Sequence, residues 1–349
     1  MLRFEMDQLP GQESMLIFHV LARLGIEALV IVSPSRPLIS VGYFQDAEKE
    51  VDLEFCRSIG LPVMRREVGG GATYLDRNQI FYQVILKQDN PMAHRRIQDI
   101  YEWLSQAPVE TYRRFGIKAG FRRVNDIVTD RGKKIAGEGG ANIGPSMVFV
   151  GGILMDFDYE TMSKALRVPD EKFRDKLYKT MRENLTTMQE ELGEIPPRDE
   201  IRRVLIEEFE RLIGPTEPAT LTQEIRQAMK DLEKQFSSEA FLLKKTPKIA
   251  TGIKIREGVD LHYGIHKAPG GLIRTVQEVQ EERIRDITIS GDFTFYPKEG
   301  LEGLERHLIA AQREPREVLE RVEEFYESHE VDSPGVEAED YVKAMDLSP

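Results

Sequence analysis

Three consecutive glycines, Gly69, Gly70 and Gly71, stand between strand-like runs at residues 62–66 and 79–86. Glycine has no Cβ and tolerates positive φ, so a triplet at a strand end predicts a loop that another group approaches closely. The runs around it set the class of fold. Helical spacing at 11–24 is followed by strands at 28–32 and 38–42, broken by a Ser-Pro-Ser-Arg-Pro turn, and by a helical stretch at 47–59. A helix is predicted over 91–115, and 147–155 is another apolar strand. Between them, strands at 125–129 and 134–141 flank the turn Asp130, Arg131, Gly132, Lys133 as a hairpin.

From 159 to 240 the pattern becomes charged, leucine-bearing helices separated by prolines. Strands then return at 248–256, 260–266, 272–279 and 284–290, with turns at Glu257-Gly258 and Pro269-Gly270, followed by helices at 301–313 and 316–328. A chain of 349 residues suits two domains. The expected fold class is α+β: a mixed-sheet unit over 1–245 and a smaller α+β unit over 246–330, joined near 243–247. Residues 331–349 are acidic and poor in large apolar side chains, and are expected to be mobile or loosely docked.

Composition excludes several functions. The net charge is −12, of which residues 314–349 carry −9. The remainder is close to neutral, which argues against a phosphate-backbone grip on nucleic acid and against a polybasic membrane patch. No apolar run approaches the roughly 20 residues that cross a bilayer, and the start lacks a basic and then apolar leader, so the expected compartment is the cytoplasm. Cys56, the one cysteine, cannot form an internal disulfide, and its apolar helical setting reads as core packing. His262 and His266 fall four apart in a strand-like run, without helical ligand spacing.

Two segments carry chemistry. In Arg65, Arg66, Gly69, Gly70, Gly71, Ala72, Thr73, Tyr74 and Asp76, planar donors precede a glycine loop, a pattern suited to an anionic ligand. The alternative is a surface turn with solvated arginines. Neither the Walker phosphate loop nor the dinucleotide fingerprint is present. In the hairpin, Asn125 and Asp126 face Lys133, Lys134, Ala136 and Gly137. A carboxylate with a lysine suits a magnesium-nucleotide site, although charged residues beside such a turn are commonly just solvated.

Taken together, these segments resemble the lipoate-protein ligase family within the biotin and lipoate ligase superfamily. Gly42-Tyr43-Phe44-Gln45 and Gly151 to Asp156 extend the match, and Gly270-Gly271-Leu272-Ile273 with Ser290-Gly291-Asp292-Phe293 resemble an accessory domain that some relatives carry on a separate chain. The resemblance implies a biotin/lipoate ligase-like catalytic domain and adenylation: lipoate, or octanoate, reacts with ATP and magnesium to give an acyl-AMP, which a lysine of a lipoyl carrier domain attacks. By the same resemblance Lys134 is the essential lysine, and Asp126 with Asn125 helps hold nucleotide or Mg2+. Arg66 and the 69–71 backbone clasp the acyl-adenylate, with the acyl chain beside Val150, Gly151 and Gly152. Leu75, Glu138 and Val150 depart from the family pattern. Rival expectations are an ATP-independent octanoyl or lipoyl transferase and a non-catalytic acyl-binding regulator. Biotin is a weaker substrate candidate, because the basic glycine-arginine loop of biotin ligases is absent.

Overall fold

The computed structural model describes residues 1–93, 96–247 and 259–347. Its centre is a six-stranded mixed sheet in the order β10-β11-β6-β2-β1-β12, built from β1 (Leu2–Leu9), β2 (Ala28–Pro34), β6 (Gln79–Lys87), β10 (Gly139–Ile143), β11 (Ser146–Leu154) and β12 (Glu217–Ala219). β2 is buried along its whole length because it alternates between two cores. Leu29 and Ile31 join one cluster, while Ala28, Val30 and Val32 join another. The helices Ile97–Leu104, Gln106–Arg114 and Arg198–Ile213 cover the first face, and Gly11–Arg23 with Gln223–Phe236 cover the second. Burying each such aliphatic side chain is worth about 2 kcal/mol.

Two three-stranded sheets flank this layer and carry the motifs. β3 (Leu38–Val41) lies between β4 (Val63–Arg65) and β5 (Thr73–Leu75), so the glycine triplet joins its two neighbours. β7 (Ala119–Arg122), β8 (Asp126–Thr129) and β9 (Lys134–Gly137) form the second, with Gly132 at φ +77° in the hairpin turn. The strand expected over 134–141 is divided: the chain leaves β9 at Glu138 and enters the central sheet as β10. The helix expected over 91–115 is likewise two helices, because Pro108 supplies no N–H for the Leu104 carbonyl and the helix restarts at Gln106. The stretch at 47–59 divides at Val51, which bridges to Leu166, and Asp52 then caps the helix Leu53–Ser58.

A last sheet, β13 (Asp260–Ala268), β14 (Gly271–Gln280) and β15 (Arg283–Gly291), packs on the helices Gly300–Leu308, Pro315–Ser328 and Ala338–Ala344. The expected strand at 248–256 and the turn at Glu257-Gly258 lie outside the described residues. The tail is not loosely docked. Its few apolar residues recur at helical spacing, so Ala338, Tyr341, Val342 and Met345 enter the core of this unit, and Asp332 caps the helix Ile97–Leu104 by accepting from the Ile97 amide at 2.9 Å. That core also takes in Tyr43 and Phe44 from the first unit, with Phe44 stacked on Phe293 at 5.4 Å between ring centroids. No helix among the described residues is long and apolar enough to cross a membrane.

Candidate active site

The glycine loop is shaped by close approach from two sides. A Cβ on Gly42 would lie 1.8 Å from the Gly70 carbonyl oxygen, and one on Gly69 would lie 2.7 Å from that of Phe293. Gly70 sits at φ +87°, where an L side chain is strained. Arg66 then straps the loop: one guanidinium nitrogen donates to the Ser40 carbonyl at 2.9 Å, and the other to those of Gly69 at 2.6 Å and Gly71 at 2.9 Å. Burial lowers its pKa to about 10, which leaves it cationic at neutral pH.

Arg65, expected beside Arg66 in the ligand site, does not line the cavity. It is fully buried and donates to the carbonyls of Gly42, Tyr43, Gln45, Phe241 and Leu242, fastening the 42–45 loop to the end of the helical block. The two arginines diverge where β4 ends: Arg65, its last residue, turns to the 42–45 loop, and Arg66, just beyond it, turns to the glycine loop. Asp76 is also placed elsewhere: its carboxylate accepts from the Asn78 amide at 2.9 Å and closes the turn after β5. Ala136 is buried in the core beneath the hairpin.

Lys134 and Asp126 do meet. The ammonium lies 2.7 Å from Asp126 Oδ1, and Arg122 lies 2.7 Å from Oδ2. Burial would raise the Asp126 pKa, but these two cations hold it below the usual carboxylate range. A Cβ on Gly137 would stand 2.7 Å from the Lys134 ammonium, so glycine there clears its path. Asn125 clamps the link to β10, donating from its side chain to the Glu138 carbonyl and accepting the Glu138 amide at 2.9 Å. The protein's own donors do not enclose a metal ion here. Both Asp126 oxygens face cations, and the described residues contain no group of three His, Cys, Asp or Glu that could hold an ion.

A cavity of about 340 Å³ connects these parts. Its wall includes Arg66, Gly69, Gly70, Gly71, Ala72, Thr73, Tyr74, Asn125, Lys134, Gly137, Val150, Gly151 and Gly152. Asp126 is not part of this wall, but it pairs with Lys134, which is. A Cβ on Gly151 would lie 2.4 Å from the Tyr82 hydroxyl and one on Gly152 2.9 Å from the Phe81 ring, so this stretch of β11 has no room for side chains.

Sequence reasoning missed several lining residues: Met15 and Phe18 of the first helix, Met181 and Leu185 at the end of the helix Glu171–Asn184, and Gln83. Gln83 had a signal, a lone amide in an otherwise apolar stretch of β6; the methionines had none. Glu138, noted as a departure, also borders the cavity. Its carboxylate accepts from Tyr82 at 2.9 Å and from Ser105, and burial pushes its pKa up to about 8.

Residues 14–210 match the lipoyl protein ligase A/B catalytic domain. The chain belongs to that family. Lipoate-protein ligase A subunit 1 of Thermoplasma acidophilum is 31% identical over 212 residues, spanning 58% of this chain and 79% of that protein. Octanoyltransferase LipM of Kyrpidia tusciae is 27% identical over 231 residues, spanning 60% and 84%. Among solved structures, the bipartite archaeal lipoate protein ligase studied with its E2 lipoyl domain, from Thermoplasma acidophilum, superposes with a TM-score of 0.62 at 27% identity, over 72% of this chain and 98% of that one. Within the lipoyl ligase A/B family fold, the glycine loop, the Lys134 hairpin and β11 thus enclose one cavity.

Proposed function

We propose that this protein is an ATP-dependent lipoate-protein ligase, which activates lipoate or a related medium-chain acid as its acyl-AMP and passes the acyl group to a lysine of a lipoyl carrier domain. The observation that carries this reading is the Lys134–Asp126 pair, 2.7 Å apart, at an apolar cavity whose other wall is the Arg66-strapped glycine loop. A carboxylate is a poor electrophile. In the first step its oxygen attacks the α-phosphorus of ATP and pyrophosphate leaves; in the second the carrier amine attacks the acyl carbon and AMP leaves. Negative charge grows first on the phosphoryl oxygens and then on the carbonyl oxygen, and the Lys134 ammonium, held in place by Asp126, answers both. Arg66 and the 69–71 backbone hold the phosphate side. The apolar wall buries the acyl chain, at about 0.8 kcal/mol per methylene. The second unit presses Phe293 against Gly69 and Gly70, and its role in this reading is to hold the loop in shape for the adenylation step.

The similarity to octanoyltransferases keeps a transferase as the second reading. An acyl-thioester route needs a reactive thiol at the cavity. Cys56 is buried among apolar neighbours, does not line the cavity, and has its thiol pushed up to about 11 by burial. The deciding experiment incubates the protein with ATP, magnesium and lipoate, octanoate or biotin, and follows pyrophosphate and acyl-adenylate. Pyrophosphate that depends on lipoate supports the ligase. Acyl transfer from a thioester donor without ATP supports the transferase.

A further inference from the structure

Gln83 lies in the middle of β6, 4% exposed, and lines the cavity. Its amide nitrogen donates to the Ser14 carbonyl oxygen at 3.1 Å. A carbonyl oxygen can only accept, so this bond fixes which way the amide faces. Its own oxygen, Oε1, is buried and has no hydrogen-bond partner among the described residues. Buried acceptors are nearly always paired, and one left bare at the wall of a binding cavity points to a donor on the ligand.

Its position says which part of the ligand. β10, β11 and β6 bring Gly139, Val150 and Gln83 side by side. Two strand spacings, about 10 Å, separate Gly139 from Gln83. The Lys134 ammonium stands over Gly137, two residues before Gly139 in the chain and so on the Gly139 side of that span. The carboxyl group to be activated belongs beside Lys134, so Gln83 faces the far end of the acyl chain. Of the side chains that share this wall, Met15, Phe18 and Phe81 offer no donor, while Ser14 carries a hydroxyl.

We propose that Gln83 is a specificity-determining residue, and that the cavity selects a medium-chain acid whose distal end carries a hydrogen-bond donor over one that ends in plain hydrocarbon. This rests on the acyl-activation reading above. For a lipoyl-type acid the favoured form is the open dithiol, whose S–H groups donate, and not the closed ring, whose sulfurs only accept. A site built to pair a donor rejects the analogue that lacks it, because the analogue leaves the acceptor buried and bare.

The test uses the full chain with ATP and magnesium. Pyrophosphate release is measured with octanoate, 8-hydroxyoctanoate, lipoate and dihydrolipoate. The expected kcat/KM is at least about tenfold higher for 8-hydroxyoctanoate than for octanoate, and higher for dihydrolipoate than for lipoate. Gln83→Met, of similar volume but without the acceptor, is expected to shrink the first ratio to within about twofold. Direct calorimetric binding of the two eight-carbon acids to the unaltered protein reads the same preference without a variant. Equal constants for the two, as when a bound water satisfies Oε1, overturn the proposal, and so does a preference that survives Gln83→Met. Absence of pyrophosphate with all four acids overturns the activation reading instead, and the binding comparison still decides the role of Gln83.

Discussion

The glycine loop and the β8–β9 hairpin face one cavity, yet they are held in opposite ways. The loop is fixed by backbone: Gly42 against Gly70, the Gly70 amide on the Phe293 carbonyl at 3.4 Å, and Arg66 across three carbonyls. Behind it Arg65 ties two distant segments together. The hairpin presents its working group on a side chain, and that ammonium is held by one carboxylate and left about a third exposed, at 36%. A loop that shapes a pocket must be rigid, while a lysine that answers charge in two successive steps needs a fixed root and a free tip. Substitutions behind the loop should therefore act on stability, and those on the hairpin on rate.

The sharpest break in that comparison is Arg65→Met. The apolar stem is kept, but the carbonyls of Gly42, Tyr43, Gln45, Phe241 and Leu242 lose a buried donor. The expected loss is about 3 kcal/mol or more, read as a fall in the denaturant midpoint. A midpoint within about 0.5 kcal/mol of the parent would show that these bonds do not hold the loop.

Lys134→Ala belongs to the other side of the comparison. Removing a charge that acts chiefly in the transition state costs about 3–4 kcal/mol, or a hundred- to thousand-fold in rate, while the unfolding midpoint should hardly move. Adenylation and transfer are assayed separately, the second from supplied acyl-adenylate, and both should fall. A large stability loss with intact rate would reverse the roles given to the two regions.

Glu138 stands where the two regions join, and its effect is set by pH. Its folded pKa, about 8, is raised above the ordinary 4.5 by burial, so the folded state holds the proton more tightly than the unfolded chain. Stability from this group is fully present below pH 4.5 and is lost as pH rises through about 8. Glu138→Gln keeps the shape without the titration. Its stability relative to the parent should rise between pH 5 and 8 and then level, as followed by urea unfolding across that range. A difference that does not change with pH would mean that Glu138 is ionised throughout.

What could be read from the sequence follows the same division. The glycine triplet, Arg66 and Lys134 were legible because a positive φ, a guanidinium beside glycines and an ammonium in a hairpin each leave a local mark. The role of Arg65 was not, because its acceptors lie at 42–45 and 241–242, far away in sequence. The docked tail was missed for a related reason: Tyr341 and Met345 are too few to stand out among acids until β13 and β14 supply the surface they cover. The hairpin's end at Glu138 was hidden too, since the change of sheet depends on β11 lying alongside.

Lys133 gives the smallest effect and the closest control. Its ammonium donates to the Arg182 carbonyl at 3.0 Å, near the end of the helix Glu171–Asn184 whose Met181 lines the cavity, and it is not itself part of the cavity wall. An exposed contact of this kind contributes about 0.2–1 kcal/mol. Lys133→Ala removes the same charge as Lys134→Ala, one residue earlier, and should leave the rate within about twofold and stability within about 0.5 kcal/mol. Their partners separate the two: Lys133 lies in the turn and reaches the Arg182 carbonyl, while Lys134 opens β9 and reaches Asp126. If Lys133→Ala proves the damaging change and Lys134→Ala is mild, the working ammonium sits on the turn and not over Gly137. If both are mild, charge stabilisation by this hairpin is not how the cavity promotes acyl activation.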